Sequence, residues 1–524
     1  MTTAGGDAPT PYDQVLYPSA VFPQTHPNRL ATVAFLRGVN PAPVDRCRVL
    51  ELGCGVGSNL TSMAFHLPGS EFVGFDLARR PIATGQAFIT ELCLQNIALY
   101  TMDVCEATAA NFGHFDFIIA HGLYSWVPKH VRERILAICH EMLTPQGVAY
   151  ISYNAYPGNH LRDMVRGMML FHTAAIEDPD EKVGQARGLL KFIAESTTNP
   201  DYYVAAIRSQ FDRTIKYADQ AFFHDDLSAV NQPFYFHEFN ADAERHGLQF
   251  VGEASSNDLL PGKFTDQVIQ RMRDLEAAPE FVREQYKDFV RGTAFRQTLL
   301  CHKEITLAPD FLVDRIQKLY ASCDAAPEQA NPEAGTAPTR FVRPGGAELE
   351  TTNRLVCAAL KILFSRWPCE VAFETLLAGA SREAELTAGA DESETLAHAL
   401  LRAYRTGFVQ LQIAPHQVAN VAGERPSTSK LARCQLRHGE AATNQLHVAI
   451  KFPDPLSRQL FLLLDGTRDR ETLTRELIDF VRKGLGKVVE EGVPVEDMDQ
   501  VAIILRRRVD EGLVSLAREG MLVS

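Results

Sequence analysis

The sequence predicts an α/β protein whose first part contains an open, doubly wound sheet. Short apolar runs alternate with helical patterns from about residue 47 to residue 153, which is the pattern of βαβ units and a parallel sheet. A glycine-rich turn follows the first apolar run, and an aspartate closes each of the next two. Because 524 residues exceed one ordinary hydrophobic core, we also expect two to four domains.

Five strands and three helices account for the chain between residues 48 and 153. The second helix is expected to begin at Pro81, because proline is tolerated in the first helical turn. The predicted strands cover residues 48–52, 72–76, 97–102, 115–120 and 148–153, and the predicted helices cover residues 59–65, 81–94 and 131–142.

Two later segments are expected to complete this sheet. Residues 161–217 have only helical periodicity, with apolar residues at mixed spacings of three and four. Residues 248–253 and 294–305 then resemble strands, and a short helix ending at Gly247 precedes the first of them. We therefore predict seven strands, with the segment from about 158 to 235 as a helical insertion into the sheet domain.

The rest of the chain predicts an accessory region behind a linker. Residues 322–346 are rich in Ala, Pro, Glu and Gly and lack a buried periodicity, so we interpret them as part of an interdomain linker. Helical patterns followed by short strand-like runs then favour two winged-helix-like α+β units. The expected boundaries are 1–308 for the sheet domain with an N-terminal arm at 1–46, 309–346 for the linker, 347–414 for the first unit and 415–524 for the second.

Composition limits the location and the partners. The net charge of −13 disfavours a phosphate backbone as the main partner, because such binding depends on clustered Lys and Arg. The ten cysteines are scattered without a C-x-x-C pair, which favours reduced thiols in a cytosol and no metal site. No apolar stretch approaches about 18 residues, and the N-terminus lacks a signal-peptide pattern. We therefore expect a cytoplasmic protein that neither inserts into a membrane nor binds nucleic acid.

The sequence ELGCGVGSN at residues 51–59 carries the strongest functional signal. Its three glycines lie where the first strand turns into a helix, and glycine lets the backbone turn tightly and approach a ligand. Dinucleotide-binding proteins use G-x-G-x-x-G, whereas Ser58 stands here at the place of the third glycine. Glu51 also disfavours a nearby pyrophosphate. S-adenosylmethionine has no phosphate and carries an ammonium and a sulfonium, so the loop favours this cofactor.

Two aspartates extend the predicted cofactor site along the carboxyl edge of the sheet, where ligands of open α/β folds bind. Asp76 can accept hydrogen bonds from both ribose hydroxyls, and Asp103 from the adenine amino group. Either aspartate alone is also compatible with a solvated turn or a helix cap. The predicted cofactor-binding residues are Glu51, Gly53, Cys54, Gly55, Gly57, Asn59, Asp76, Leu77, Met102, Asp103, Val104, Ala120 and His121.

Several further stretches of sequence resemble one family. They are YDQVLYPSAVFPQTHP at 12–27, AHGLYSWVP at 120–128, SYNAYPGNHLRDMVRGMMLFH at 152–172, FYFHEF at 234–239 and RQTLLCH at 296–302. The chain resembles the class I S-adenosylmethionine-dependent methyltransferases with a methyltransferase regulatory domain, and it is similar to the bacterial protein lysine methyltransferases of the rickettsial type, which modify an outer-membrane protein. This resemblance implies a Rossmann-like methyltransferase sheet, a regulatory segment at about 218–302 and an active enzyme.

The resemblance also implies that the N-terminal arm folds over the pocket as a lid, with Tyr12, Tyr17 and His26 lining it. Aromatic walls exclude water and attract a sulfonium. The predicted catalytic residues are Tyr12, Tyr17, Trp126 and Asn154. Packing of the aromatics against the domain, and a turn-forming role for Asn154, are the alternatives. The aromatic-rich segment 222–239 is interpreted as part of a lid and not as a metal site.

Three functions remain open at this stage. The first is methyl transfer to a protein lysine, with the C-terminal region as a docking or dimerisation surface. The second is a small-molecule methyltransferase of specialised metabolism, and the third is a non-catalytic S-adenosylmethionine-binding interaction protein. The intact glycines and both aspartates weigh against the third. The basic run Arg506–Arg508 stands among Asp and Glu, which favours a solvated helix face over a nucleic-acid site.

Overall fold

The computed structural model describes residues 10–18, 20–196, 198, 201–255, 264–275, 277–328, 338–490 and 492–524. Its central feature is a seven-stranded sheet with the strand order β3-β2-β1-β4-β5-β7-β6. The strands are β1 (Arg48–Leu52), β2 (Glu71–Asp76), β3 (Ile97–Thr101), β4 (Phe115–Ala120), β5 (Leu143–Asn154), β6 (Leu248–Glu253) and β7 (Phe295–His302). The order reverses beside β1, so a ligand crevice is expected at the carboxyl ends of β1 and β4.

The predicted fold class is confirmed. β7 runs antiparallel to β5 and β6, and the other described pairings in this sheet are parallel. β1 and β4 are buried almost throughout, as central strands covered on both faces must be. β5 begins five residues before its predicted start, because Leu143 pairs with Phe115 across an irregularity in the register.

Helices cover both faces of this sheet. An N-terminal arm contains α1 (Pro11–Gln14) and leads into α2 (Pro27–Leu36). The helices between the strands are α3 (Ser58–His66), α4 (Arg79–Leu92), α5 (Ala109–Phe112) and α6 (Lys129–Met142). Buried Met63, Ile82 and Ile138 show how each of the three longer ones packs an apolar face on the sheet.

The chain between β5 and β6 forms mainly helices. α7 (Asn159–His172), α8 (Pro179–Ala194), α9 (Tyr202–Thr214) and α10 (Asp219–Asp226) share a small core around Met169, Leu190 and Phe222. α11 (Phe236–Arg245) then leads into β6, and α12 (Asp266–Asp274) and α13 (Glu280–Arg291) lie between β6 and β7. The helical segment therefore interrupts the sheet domain.

The segment expected to be a linker is partly structured, which corrects that prediction. It contains β8 (Tyr320–Ser322), β9 (Ala326–Pro327) and β10 (Thr339–Val342), and β11 (Glu348–Thr351) pairs with β10. The next elements are α14 (Arg354–Arg366), β12 (Val371–Ala372), α15 (Phe373–Glu383), α16 (Ala390–Arg405) and β13 (Gln410–Gln412). β8 lies between β12 and β13, so residues of the expected linker complete the first C-terminal unit.

A second helical unit ends the chain. Its elements are α17 (Lys430–His438), β14 (Ala441–Thr443), β15 (Ala449–Lys451), α18 (Pro455–Leu463), α19 (Arg470–Arg482), β16 (Val489–Glu490), β17 (Val493–Pro494) and α20 (Met498–Arg518). A core around Leu436, Phe461 and Leu505 holds them together. Among the described residues, no helix combines the length and the apolar character that crossing a bilayer requires.

Candidate functional site

The glycine-rich loop between β1 and α3 wraps closely around the end of β2. The backbone N–H groups of Gly53 and Cys54 donate to the Phe75 carbonyl at 2.8 and 3.0 Å. Gly57 has a φ of +69° and is the N-cap of α3, and a Cβ there would lie 2.6 Å from the Leu99 side chain. At Gly55, by contrast, a Cβ would meet nothing within 4 Å. The loop thus needs glycine for its shape and leaves open space beside Gly55.

Glu51 places a carboxylate with one unpaired oxygen at the carboxyl end of β1. Its side chain is buried, and Oε1 accepts a hydrogen bond from Asn59 Nδ2 at 2.9 Å. The other oxygen, Oε2, is buried and has no hydrogen-bond partner. Burial raises the pKa of Glu51 to about 8. A buried carboxylate with a free oxygen is suited to a cationic donor, because the cation offsets the cost of desolvating the charge.

Asp76 connects the glycine loop with the next strand end. Its Oδ2 accepts from the Gly55 N–H and its Oδ1 from the Ala78 N–H, both at 2.8 Å. Burial raises the pKa of this carboxyl above its usual value despite these two donors. Each carboxylate oxygen can accept a further hydrogen bond. Asp76 therefore keeps the capacity to bind two hydroxyl groups.

The neighbouring residues form a mixed polar and apolar edge. The Met102 N–H donates to the Asp76 carbonyl at 2.9 Å, and this contact places the start of the Met102–Val104 segment beside Asp76. The Asp103 side chain is exposed, with Oδ1 accepting from the Cys105 N–H at 2.8 Å. Leu77 is exposed, whereas Val104 is buried. A flat aromatic ligand could lie along this edge with Asp103 at its rim.

Asn59, which the sequence predicts to bind the cofactor, lies among four protein partners. Its Nδ2 donates to Glu51 and to Thr25 Oγ1, and its Oδ1 accepts from the Phe22 N–H and from His447 Nε2. These four partners use the full hydrogen-bonding capacity of the amide. Asn59 therefore supports Glu51 from behind, and the carboxylate keeps its free oxygen.

His121 joins the carboxyl end of β4 to the N-terminal arm. It follows Ala120, which is fully buried, and its Nδ1 lies 2.9 Å from the Tyr150 hydroxyl. Its ring packs on Phe22 with the two ring centroids 3.9 Å apart. Burial lowers the pKa of His121 to about 4, so the ring is neutral at pH 7. The arm thus reaches the edge of the sheet where the glycine loop lies.

The arm is held against α10 by its two predicted tyrosines. Tyr12 stacks on His224 with the ring centroids 4.2 Å apart, and the Tyr17 hydroxyl donates to Asp225 Oδ2 at 3.2 Å. Burial, followed by the charges of Asp225 and Asp76, raises the pKa of Tyr12 to about 12. Tyr12 therefore lies within electrostatic reach of both the sheet edge and α10.

Asp225 is a candidate that the sequence analysis did not single out. Burial raises its pKa to about 6. The adjacent Asp226 is instead paired with Arg162 at 3.0 Å and Arg213 at 2.7 Å, and these arginines hold its pKa below the usual value. The sequence has no signal that distinguishes the two aspartates, because their partners come from distant helices.

Trp126 lies beyond the end of β4, and Asn154 is the last residue of β5. The Arg162 guanidinium lies 5.8 Å from the Trp126 ring centroid. Asn154 is buried, and its Nδ2 donates to Asn231 Oδ1 at 2.8 Å. His26, which the resemblance placed in the pocket lining, is buried instead against His447 and His416 of the C-terminal region. This corrects the expectation for His26.

One group of metal-ligand residue types joins α4 to α17. Cys434 and His438 are one helical turn apart, a spacing that the sequence analysis overlooked, and Glu91 faces both of them. Cys434 Sγ donates to Glu91 Oε1, and His438 Nε2 lies near Glu91 Oε2, both at 2.9 Å. These contacts fix the second C-terminal unit to the sheet domain.

The seven-stranded sheet, its glycine loop and the acidic strand ends define a class I S-adenosylmethionine-dependent methyltransferase. Family models agree: "Methyltransferase domain" matches residues 50–149, "Predicted methyltransferase regulatory domain" residues 218–302, and "PKMT, C-terminal winged helix domain" residues 424–521. The chain belongs to the S-adenosylmethionine-dependent methyltransferases that combine these three parts. S-adenosylmethionine is therefore its methyl donor.

Relatives and solved structures support this assignment. Uncharacterized protein RP789 of Rickettsia prowazekii is 29% identical over 503 residues, which are 94% of this chain and 90% of that protein. Uncharacterized protein RP028 of the same organism is 36% identical over 241 residues, 46% of this chain and 96% of that protein. The structure of PKMT2 from Rickettsia typhi, also solved in complex with AdoHcy, is 26% identical with a TM-score of 0.87 and covers 97% of this chain and 100% of its own.

Proposed function

We propose that this methyltransferase modifies the side-chain amine of a lysine in a protein substrate. The observation that carries the proposal is the half-buried Asp225 carboxylate, which Tyr17 holds beside Tyr12 at the edge of the predicted cofactor site. A carboxylate among aromatic rings is suited to a cationic amine. The similarity to PKMT2 along nearly the whole chain supports the same class of acceptor.

The residues at the carboxyl edge of the sheet fit S-adenosylmethionine. Glu51 Oε2 would accept from the ammonium of the methionine part, and Asp76 from the ribose hydroxyls. Met102, Asp103 and Val104 would border the adenine. The open positions at Gly55 and Gly122, where a Cβ would meet nothing within 4 Å, leave room for the ligand. When bound, the cofactor supplies a methyl group on a sulfonium, from which the sulfur leaves readily as a neutral thioether.

The protein must then deliver an uncharged amine. A lysine with a pKa of about 10.4 needs roughly 4 to 5 kcal/mol to lose its proton at pH 7. Asp225 would attract the ammonium and then take up its proton as a general base, a role that its raised pKa favours. Tyr12, Tyr17 and Trp126 would exclude water from the amine. The Asn154 amide oxygen would orient the amine. Alignment of the nitrogen lone pair with the methyl group would accelerate the transfer further.

Labelled S-adenosylmethionine tests the acceptor class. The purified chain is incubated with a native lysate and the labelled cofactor, and the products are separated into protein and small molecules. We expect label in a protein band and methyl-lysine in its tryptic peptides by mass spectrometry. Label confined to small extractable molecules would instead indicate a metabolite methyltransferase, and no transfer despite cofactor binding would indicate a non-catalytic module. An Asp76→Ala variant is the control for labelling that does not depend on this cofactor site.

We further infer a cytoplasmic location and a protein-contact role for the C-terminal units. Arg507 pairs with Glu490 at 2.6 Å and Arg508 donates to the Val489 carbonyl, so this basic run is engaged within the protein, which disfavours nucleic acid as its partner. The same helix exposes Ile503 and Val514, which favours a contact with a substrate protein or a second copy. Light scattering of the purified chain and of its Ile503→Asp variant measures whether the chain forms a dimer through this helix.

A further inference from the structure

The turn between β14 and β15 inserts a histidine from the C-terminal unit into the methyltransferase domain. His447 is almost fully buried, with a φ of +59°, at the tip of this hairpin. Its Nε2 lies 2.9 Å from Asn59 Oδ1, and its Nδ1 lies 3.1 Å from Ser62 Oγ. Both partners belong to α3, the helix that follows the glycine-rich loop. The hairpin tip therefore touches the support of the cofactor site.

Hydrogen-bond accounting assigns the proton on the His447 ring. The Phe22 N–H can only donate, so the atom of Asn59 that it faces at 3.0 Å must be the amide oxygen. Asn59 Nδ2 then faces Glu51 and Thr25. Since the amide oxygen also faces His447, Nε2 carries the hydrogen and Nδ1 accepts from the Ser62 hydroxyl. Burial lowers the pKa of His447 to about 3, which leaves a neutral ring with this single N–H.

We propose that His447 is a positioning residue for cofactor binding: it holds the Asn59 amide, and Asn59 holds Glu51 so that Oε2 faces the ammonium of S-adenosylmethionine. This inference rests on the proposed role of Glu51. It makes the C-terminal unit a part of the cofactor site and not only an attached docking module.

The expected consequence of losing the His447 contact follows from the charge on Glu51. Asn59 Nδ2 is the one hydrogen-bond donor that the described residues give to this carboxylate, and it lowers the Glu51 pKa against the larger effect of burial. An Asn59 amide that is free to rotate would present its oxygen to Glu51 for part of the time. The carboxylate would then take up a proton more readily and bind a cation less well.

Three substitutions of His447 separate this role from a structural one. In His447→Gln the amide nitrogen can take the place of Nε2 and donate to Asn59. In His447→Asn the side chain reaches Ser62 but not Asn59, yet asparagine tolerates a positive φ better than glutamine does. His447→Leu fills the space without a donor. If the hydrogen bond to Asn59 determines cofactor affinity, the Gln variant should bind more tightly than the Asn variant. If only the conformation of the turn matters, the Asn variant should bind more tightly.

The affinity of each full-length variant for S-adenosylmethionine and for AdoHcy is measured by calorimetry, with KM and kcat from the labelling reaction. We expect the Asn and Leu variants to bind the cofactor about 3- to 10-fold more weakly, as for one lost hydrogen bond, with the change mainly in its KM. We expect the Gln variant to stay within about twofold of the original affinity. An Asn variant that binds like the original chain while the Gln variant does not would overturn the proposal.

Two controls complete the experiment. His416→Leu removes another histidine from the same domain contact, one whose hydrogen-bond partner is Glu370 and not Asn59, and should leave cofactor affinity unchanged. Glu51→Gln tests the underlying site. If Glu51→Gln binds the cofactor normally, the proposed site itself is wrong; if it binds weakly while all three His447 variants bind normally, only the role of His447 is refuted.

Discussion

Asp225 and Asp226 are neighbours with the same side chain, yet the fold gives them opposite acidities. Asp226 has two arginine partners that stabilise its charge, whereas the Asp225 carboxylate accepts from the Tyr17 hydroxyl, and the effect of its burial exceeds that of the Arg162 charge nearby. The pKa of Asp225 is accordingly raised to about 6 and that of Asp226 is lowered. At the residue scale, the environment and not the residue type determines which of the two is available to an amine.

The raised pKa of Asp225 predicts a pH dependence for methyl transfer. Activity should fall as the pH drops through about 6, because the protonated acid no longer attracts an ammonium. Asp225→Asn should lower kcat at pH 8 by about tenfold or more, the usual scale for a general acid-base group. Because a raised acid pKa favours the folded state only at low pH, this variant should not melt below the original chain at pH 8. A flat pH profile between 5 and 8 would exclude this role.

Tyr17→Phe tests the partner of Asp225. The change removes the hydroxyl that donates to this carboxylate and keeps the aromatic ring. We expect slower transfer with unchanged cofactor affinity, because the Tyr17 side chain contacts Asp225 and His224 of α10. Initial rates and calorimetry on the same preparation measure both quantities. Unaltered turnover would remove Tyr17 from the reaction.

Asp76→Ala addresses the cofactor side of the site. Loss of the carboxylate should weaken the affinity for AdoHcy by about 1.5 to 3 kcal/mol, the scale of several lost hydrogen bonds. Asp45→Ala, at an exposed aspartate of the same domain, is the matched control. Equal affinities of the two variants would mean that the ribose position is wrongly assigned.

At the scale of elements, the sequence predicted the strands whose pattern lies within one continuous run of residues. β1, β4 and β6 have their predicted ends, because each is an apolar run bounded by turn residues. β8 was missed because three residues are too short for a periodic pattern and its partners β12 and β13 lie far along the chain. The start of β5 was missed because Thr144-Pro145-Gln146-Gly147 resembles a turn.

Arg296 provides a stability test for the elements that close the sheet. This fully buried residue of β7 pairs with Glu253 of β6 and with Glu284 and Asp288 of α13, at 2.7 to 3.1 Å. Arg296→Met would leave Glu253 and Asp288 without their cation and Glu284 with Lys287 alone, and we expect a loss of about 3 to 5 kcal/mol of unfolding free energy at pH 7. Urea unfolding measures this loss. The deficit should shrink at pH 5, where protonation removes the uncompensated charge.

At the scale of the molecule, the candidate site is assembled from four distant parts of the chain. The glycine loop and Asp76 were predicted from local patterns, but the contacts of Tyr17 with Asp225 and of His447 with Asn59 join residues 208 and 388 positions apart. A single sequence contains no signal for such pairs. The accessory region was therefore predicted as an attachment, whereas its histidine contacts Asn59 behind the predicted cofactor edge.

The N-terminal arm gives a prediction at this scale. α1 has no buried residue, and the arm is held by side-chain contacts with Arg80, His224 and Asp225. Cofactor binding beside Tyr12 should add contacts and slow proteolytic cleavage between residues 10 and 18. Limited proteolysis with and without AdoHcy, followed by mass spectrometry, measures this protection. The Asp76→Ala variant should show less protection at the same AdoHcy concentration.

The position of β8 restricts how this enzyme can be divided into fragments. Ala321 pairs with Val371 on one side and with Leu411 on the other, so it is the middle of a three-stranded sheet whose outer strands come later in the chain. A polypeptide starting at residue 347 would expose both inner edges and the apolar cluster beneath them, and such edges promote aggregation. Recombinant work on the C-terminal half should therefore begin upstream of Tyr320.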